Sequence, residues 1–81
     1  MDMRSKFRTA VMILQFRLGI GYFLLELGGG ERFSLLHEEG DGTISSLPPD
    51  VSKAVENAQN IREIEDVLYR YCDSRNRRML S

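Results

Sequence analysis

Residues 47–77 read LPPDVSKAVENAQNIREIEDVLYRYCDSRNR, and this segment carries the strongest structural signal in the chain. Two prolines followed by Asp50 mark a stop and then a helix start, because proline and an acidic residue are both favoured in the first helical turn. Apolar residues then recur at spacings of three and four, with charged residues on the opposite side. The apolar stripe consists of Val51, Ala54, Val55, Ala58, Ile61, Ile64, Leu68, Tyr71 and Cys72. The pattern predicts one long amphipathic helix from about Asp50 to Arg77.

The segment before this helix is divided by two glycine-rich turn signals, at residues 28–30 and 40–42. Between and after them lie residues 32–38 and 43–47, two segments of the length that strands prefer. An Asp-Gly pair is typical of the turn of a β-hairpin. We therefore expect these two segments to form a hairpin.

Residues 31–36, ERFSLL, followed by residues 40–45, GDGTIS, resemble the end of the entering helix and the loop of an EF-hand of the calmodulin type. The resemblance implies a calcium-binding loop, and with Gly42 as its sixth position that loop runs from His37 to Pro48. The first and last ligands of such a loop are an aspartate and a bidentate glutamate, and calcium takes about six to eight oxygens. Because a histidine and a proline stand at those two positions, we expect a hairpin turn here and no metal or cofactor.

The N-terminal third fits two templates. The helical template has a stripe formed by Phe7, Val11, Leu14, Leu18 and Leu25 and ends at Gly28. The strand template has strict alternation over residues 14–22. Two glycines inside a helix would cost about 2 kcal/mol relative to alanine, which favours strands after a short helical start. The predicted class is α+β: an antiparallel β-meander, or an N-terminal helix plus a hairpin, followed by one long C-terminal amphipathic helix.

Composition is that of one small globular domain over residues 1–81, with 28% charged and 42% apolar residues. The single cysteine, Cys72, excludes an intrachain disulfide and points to a reducing, cytoplasmic location. The longest apolar stretch, residues 11–27, contains Arg17 and Glu26 and is short for a membrane span, so we expect it in the core. No small-residue cleavage site closes this stretch, and we expect neither a signal peptide nor a membrane partner.

Apolar area exceeds what one small core can bury. Phe23, Leu24 and Leu25 would place neighbours on both faces of a sheet, whereas a two-layer domain covers only one face. A second copy of the chain or a protein partner is expected to cover the other. The predicted interface residues are Phe16, Tyr22, Phe23, Leu25, Ile64, Leu68 and Tyr71.

Three single residues stand out from the pattern. Glu65 falls on the apolar side of the C-terminal helix, where an unpaired carboxylate would cost several kcal/mol. We predict that Glu65 either pairs with Arg17 or lies at the rim of the stripe. His37 is expected to be a partly exposed strand residue, because no nucleophile accompanies it. Cys72 is expected to be a small buried hydrophobe.

The sequence shows no catalytic constellation, phosphate loop or metal cluster. We therefore expect a non-enzymatic protein–protein interaction module, an adaptor, regulator or chaperone-like protein that acts as a homodimer. The alternative is a nucleic-acid-binding or transcription-regulating domain, which the net charge of −1 does not favour. That alternative rests on basic residues near the two ends of the chain, namely Arg4, Lys6, Arg8, Arg17, Arg75, Arg77 and Arg78. A third hypothesis is a small hydrolase or metal-dependent enzyme built around residues 37–41.

Overall fold

The computed structural model describes residues 1–28 and 32–80, without the side chains of residues 77–80. The elements follow in the order α1 (Met3–Leu18), β1 (Tyr22–Leu27), β2 (Arg32–Glu38), β3 (Ile44–Ser46), α2 (Pro49–Asn57) and α3 (Ile61–Leu80). The strands form one antiparallel sheet in the order β1-β2-β3. Helix α1 packs on β1 and β2, and the three helices pack on one another. The α+β class is confirmed, with a three-stranded meander and an N-terminal helix together.

Helix α1 occupies most of the ambiguous N-terminal third. Its first turn is capped by the Asp2 carboxylate, which accepts the Ser5 N–H at 2.8 Å. The helix ends at Leu18, and Gly19 and Gly21 follow with φ of +96° and +116°, a region that glycine enters without steric cost. The expectation of strands over residues 14–22 is wrong, because both glycines lie outside the helix and impose no helical penalty. The helical template is also wrong about the end of the helix, because α1 ends at Leu18 and Gly28 follows β1.

The prediction of one long helix from Asp50 is only partly matched, because the C-terminal segment forms α2 and then the longer α3, which begins at Ile61. The break is at Ala58, whose backbone is extended (φ −63°, ψ 138°) and whose side chain is buried in the core. Asn60 then caps α3 by accepting the Glu63 N–H at 3.0 Å, while the Glu63 carboxylate accepts the Gln59 N–H at 2.6 Å. Asn60-x-x-Glu63 is a capping-box signal. The stripe of apolar residues continues across the break, which is why periodicity alone does not reveal it.

The hairpin of β2 and β3 is confirmed. Glu38 pairs with Ile44 and Leu36 with Ser46, and in the turn the Asp41 carboxylate accepts the Thr43 N–H at 2.9 Å. That hydrogen bond lowers the pKa of Asp41 below its ordinary value. Residues 32–38 form a strand where an EF-hand has its entering helix, so the EF-hand resemblance does not extend to the structure. Residues 29–31, which belong to that resemblance and to the first predicted turn, lie outside the described residues.

The core lies between the sheet and the helices. Phe7 of α1 meets Phe33 of β2 with ring centroids 5.7 Å apart, which ties the first helix to the middle strand. Cys72 is buried, as predicted. In the described ranges no helix combines the length and the apolar character needed to cross a membrane. The buried residues are Phe7, Ala10, Leu14, Tyr22, Phe33, Leu35, Leu47, Val51, Val55, Ala58, Ile64, Leu68 and Cys72.

Candidate functional site

The two faces of the sheet are occupied differently. Side chains alternate along a strand, so cross-strand partners point to the same side. The inner face, towards the helices, carries the buried residues Tyr22, Phe33 and Leu35. The opposite side, which we call the outer sheet face, carries Phe23, Leu25, Leu27, Leu36 and Ile44.

The outer sheet face is apolar at its centre and charged at two ends. Leu36 lies between Phe23 and Ser46, and Leu25 lies beside Ser34. At one end of β2, Arg32 pairs with Leu27, and at the other end Glu38 pairs with Ile44. Both charged side chains are exposed. The register therefore builds a small apolar surface with one positive and one negative end.

The outer sheet face is open to solvent. Leu25 is 43% exposed, Leu27 is 40% exposed and Ile44 is 57% exposed. Helix α1 contacts β1 and β2 from the inner side of the sheet. Helices α2 and α3 pack in turn against α1. The contacts of Phe7 with Phe33 and of Arg75 with His37 join helices to the inner side of the sheet. Exposed apolar side chains grouped on one face mark sites of association more often than singly scattered hydrophobic residues do.

The edges of the sheet are less open to a partner than its outer face. On β1, the Gln15 amide donates to the Tyr22 carbonyl oxygen at 2.7 Å and occupies one of the acceptors at this edge. The Glu26 carboxylate lies 3.1 Å from the Arg4 guanidinium, which places charge beside the same strand. The other edge strand, β3, is only three residues long. Short strands and charged side chains are devices that limit strand addition, so the geometry favours contact through the face.

A second group of exposed apolar residues lies on α1. Met12 is 70% exposed, Phe16 is 89% exposed and Ile20, in the turn after the helix, is 95% exposed. On a helical projection Phe16 points away from the buried residues Phe7 and Leu14. We call Met12, Phe16 and Ile20 the α1 stripe. It is separate from the outer sheet face, because α1 packs on the opposite side of the sheet.

The predicted interface residues divide into two groups. Tyr22, Ile64 and Leu68 lie in the core of the chain itself, at most 2% exposed, so assigning them to an interface is a mistake. Core and interface use the same apolar residue types, and sequence periodicity cannot separate them. The other four predicted residues, Phe16, Phe23, Leu25 and Tyr71, reach the surface wholly or in part.

Sequence reasoning missed much of the outer sheet face. Leu27, Leu36 and Ile44 belong to it, and so do the charges of Arg32 and Glu38. The alternation of residues 32–38 placed Arg32, Leu36 and Glu38 on one face of a strand, and this signal was sufficient to find them.

The predicted pair of Arg17 and Glu65 is not formed. The Arg17 guanidinium carbon lies 4.1 Å from the centre of the Tyr69 ring, and the described ion pairs include neither Arg17 nor Glu65. A guanidinium over an aromatic ring keeps contact with water while its stem covers apolar surface. Glu65 is partly exposed, which corresponds to the rim position that was the alternative.

A polar cluster surrounds His37, which is a partly exposed strand residue as expected. Its ring stacks on Tyr22 with centroids 4.4 Å apart. Its Nδ1 lies 3.1 Å from Nη2 of Arg75 and 3.2 Å from Oε1 of Glu39. Because guanidinium groups only donate, Nδ1 accepts from Arg75 when it carries no proton and donates to Glu39 when it carries one. The Arg75 side chain also donates to the Tyr71 hydroxyl at 3.4 Å.

In this cluster the charges of Arg75 and Glu39 offset each other at the edge of the core. Burial raises the pKa of Tyr22 from 10.0 to about 12. Ser45 donates its hydroxyl proton to Glu39 at 3.2 Å, so this hydroxyl is directed to the carboxylate and not to the imidazole. Burial also raises the pKa of the Cys72 thiol, which holds it in the unreactive form.

The side chains that the enzyme hypothesis needs, at residues 37–41, do not all come together in one site. His37 and Glu39 are brought together, but Glu38 lies on the outer sheet face and Asp41 bonds to Thr43 in the turn. Across the part of the chain that the structure describes, no group of three or more His, Cys, Asp and Glu side chains is placed to hold a metal ion.

A groove of about 680 Å³ lies between β3 and the helices α2 and α3. Its apolar walls come from Val51, Ala54 and Val67, and its polar rim comes from Arg70 and Arg75. Tyr71, one of the predicted interface residues, lines this groove and not the outer sheet face.

The basic residues of the nucleic-acid hypothesis are largely engaged within the chain. Arg4 pairs with Glu26, and Lys6 donates to the Glu56 carbonyl oxygen at 2.9 Å. Arg17 lies over Tyr69, and Arg75 contacts His37 and Glu39. The side chains of Arg77 and Arg78 lie outside the described residues.

Comparison of the chain with protein-family models, with curated proteins and with solved structures finds no match.

Proposed function

We propose that this chain is a small non-enzymatic protein–protein interaction module that acts as a homodimer, and that the outer sheet face is its binding surface. The observation that carries the proposal is a set of exposed apolar side chains on one face of a sheet whose other face packs against the core. Leu25, Leu27 and Ile44 are 40% exposed or more, while Tyr22 and Leu35 are at most 2% exposed. The outer residues are therefore available for a contact between molecules.

The dimensions of the face indicate how strong the association is. Strands rise about 3.3 Å per residue and lie about 4.8 Å apart, so three strands of this length make a face of about 20 by 14 Å. A standard interface buries about 800 Å² on each partner. The outer sheet face is smaller than that, even when the relief of its side chains is included. We therefore expect a weak, reversible dimer, which suits an adaptor or a regulator.

Two further features fit this function. His37 Nδ1 is shared by Arg75 and Glu39, which suits a structural contact better than activation of a nucleophile. Cys72 is a free, buried thiol, which is consistent with the reducing cytoplasm as the place where the module acts.

The proposal is tested by Leu25→Glu, with Phe16→Glu as its matched control. Both changes introduce one carboxylate at an exposed apolar position, but Phe16 lies on the α1 stripe. Sedimentation velocity over a series of concentrations is expected to show a monomer–dimer equilibrium for the unmodified chain and for Phe16→Glu. Leu25→Glu is expected to remain a monomer, because a charge at the centre of the face would be buried without a partner.

Circular dichroism and thermal unfolding of both variants check that each still folds. A strictly monomeric unmodified chain would remove the homodimer. If Leu25→Glu still dimerises and Phe16→Glu does not, the interface is the α1 stripe and not the outer sheet face.

A further inference from the structure

We infer that the two copies meet about a two-fold axis that lies between the sheets and perpendicular to the strands, so that Arg32 of each copy pairs with Glu38 of the other. This inference rests on the proposed function, because it specifies how a second copy covers the outer sheet face. It is drawn from the register of β2 and from the signs of its two terminal charges.

Arg32 and Glu38 are suited to such pairing by their positions. Both belong to β2, both are on the outer sheet face and both are exposed. They stand at opposite ends of a seven-residue strand, about 20 Å apart. The described ion pairs join Arg4 to Glu26 and Arg75 to Glu39, so neither end of β2 is neutralised within the described part of the chain.

Symmetry leaves two simple ways to place one such face on its copy. In a two-fold interface, a residue that contacts a second residue is contacted by that second residue in return. An axis parallel to the strands places Arg32 on Arg32 and Glu38 on Glu38. An axis perpendicular to the strands places Arg32 on Glu38 twice. Like charges that face each other across an interface disfavour it, so the charges select the perpendicular axis.

The apolar centre is compatible with the same axis. Its midpoint lies at the level of Leu35 on β2, which pairs with Leu24 on β1. Reversal about that level places Phe23 of one copy over Leu25 of the partner subunit, and Leu25 over Phe23 of the partner subunit. The pairing brings the broadest outer side chain against one of the exposed leucines. Stacked sheets lie about 10 Å apart, a spacing that side chains of this size fill.

Charge reversal tests the arrangement with three variants: Arg32→Glu, Glu38→Arg and the double variant that carries both. Each single reversal creates like-charge contacts at both ends of the dimer, and we expect its dissociation constant to rise about tenfold or more. The double variant restores both pairs and is expected to dimerise like the unmodified chain. An equimolar mixture of the two single variants is also expected to associate, because their faces complement each other.

Arg8→Glu is the matched control, since it changes the net charge as Arg32→Glu does, but from an exposed position on α1. Its dimerisation is expected to be unchanged in sedimentation velocity at low salt. Single reversals that dimerise like the unmodified chain would overturn the perpendicular axis. If Leu25→Glu is still monomeric in that case, the face stands and only the arrangement fails. If Leu25→Glu also dimerises, the proposed face itself fails.

Discussion

The inner and outer faces of one sheet are built from similar residues and differ in exposure. On the inner face Leu35 is 1% exposed, while on the outer face Leu25 is 43% exposed. The strands β1 and β2 contribute leucine and phenylalanine to both sides. Residue type therefore does not distinguish a core position from an interface position in this protein. The position of the helices makes the distinction.

The sharpest test of this comparison replaces one leucine on each face with alanine. Leu35→Ala is expected to lower the free energy of unfolding by about 2–5 kcal/mol, because it leaves a cavity in a packed core. Leu25→Ala is expected to lower it by less than about 1 kcal/mol when the protein is monomeric, because much of that side chain is already in water.

Urea unfolding at low protein concentration measures both changes. Equal losses in the two variants would show that the outer face is as buried as the inner one. Raising the protein concentration should then stabilise the unmodified chain more than Leu25→Ala, because only a dimer interface gains from mass action.

Burial of Tyr22 on the inner face leads us to expect a loss of folding stability at alkaline pH. Burial raises the pKa of Tyr22 from 10.0 to about 12 in the folded chain. Between these values the unfolded chain releases the phenol proton and the folded chain keeps it, so the unfolded state binds fewer protons. Stability is therefore fully present below pH 10 and falls as the pH rises to about 12, by on the order of 2 kcal/mol for this group.

The difference between the unmodified chain and Tyr22→Phe isolates this effect, because the variant keeps the ring and removes the titrating group. The unfolding free energy of the unmodified chain should fall relative to that of Tyr22→Phe as the pH rises through that range. Parallel pH profiles would indicate that the Tyr22 hydroxyl is hydrated in the folded state.

The reactivity of a thiol is expected to differ between the core and the outer sheet face. Cys72 lies in the core and burial raises its pKa, so an aromatic disulfide reagent is expected to modify it only as fast as the chain opens. A cysteine introduced by Leu25→Cys, in a chain that also carries Cys72→Ala, should react rapidly in dilute solution and more slowly as the concentration rises. Equal rates at all concentrations would contradict burial of the outer face in a dimer.

The smallest expected effect concerns the edge of the sheet. Arg4 and Glu26 are both about half exposed, with side-chain exposures of 51% and 45%, and their ion pair is at the surface. Glu26→Gln is expected to change the free energy of unfolding by no more than about 0.5 kcal/mol and to leave the dimer intact. Stronger self-association or aggregation of this variant would show that the charge protects the edge of β1 from strand addition.

Several features of this protein could be predicted from sequence because they depend on near neighbours. The hairpin follows from the Asp-Gly turn, and the burial of Cys72 follows from its place in the apolar stripe. The signal for the break at Ala58 is equally local, since Asn60 and Glu63 have the spacing of a capping box, but the continuous periodicity obscures it.

Local chemistry in the chain is thus enough to specify α+β structure, the strands of the hairpin and the apolar stripes of the helices, because hydrogen bonding and periodicity act over a few residues. The side of the sheet that the helices cover is decided only by packing between distant segments, such as Phe7 against Phe33. The same holds for Arg17, which lies over Tyr69 and not beside Glu65. Burial is a property of the assembled chain, and equal side chains acquire different roles according to what packs against them.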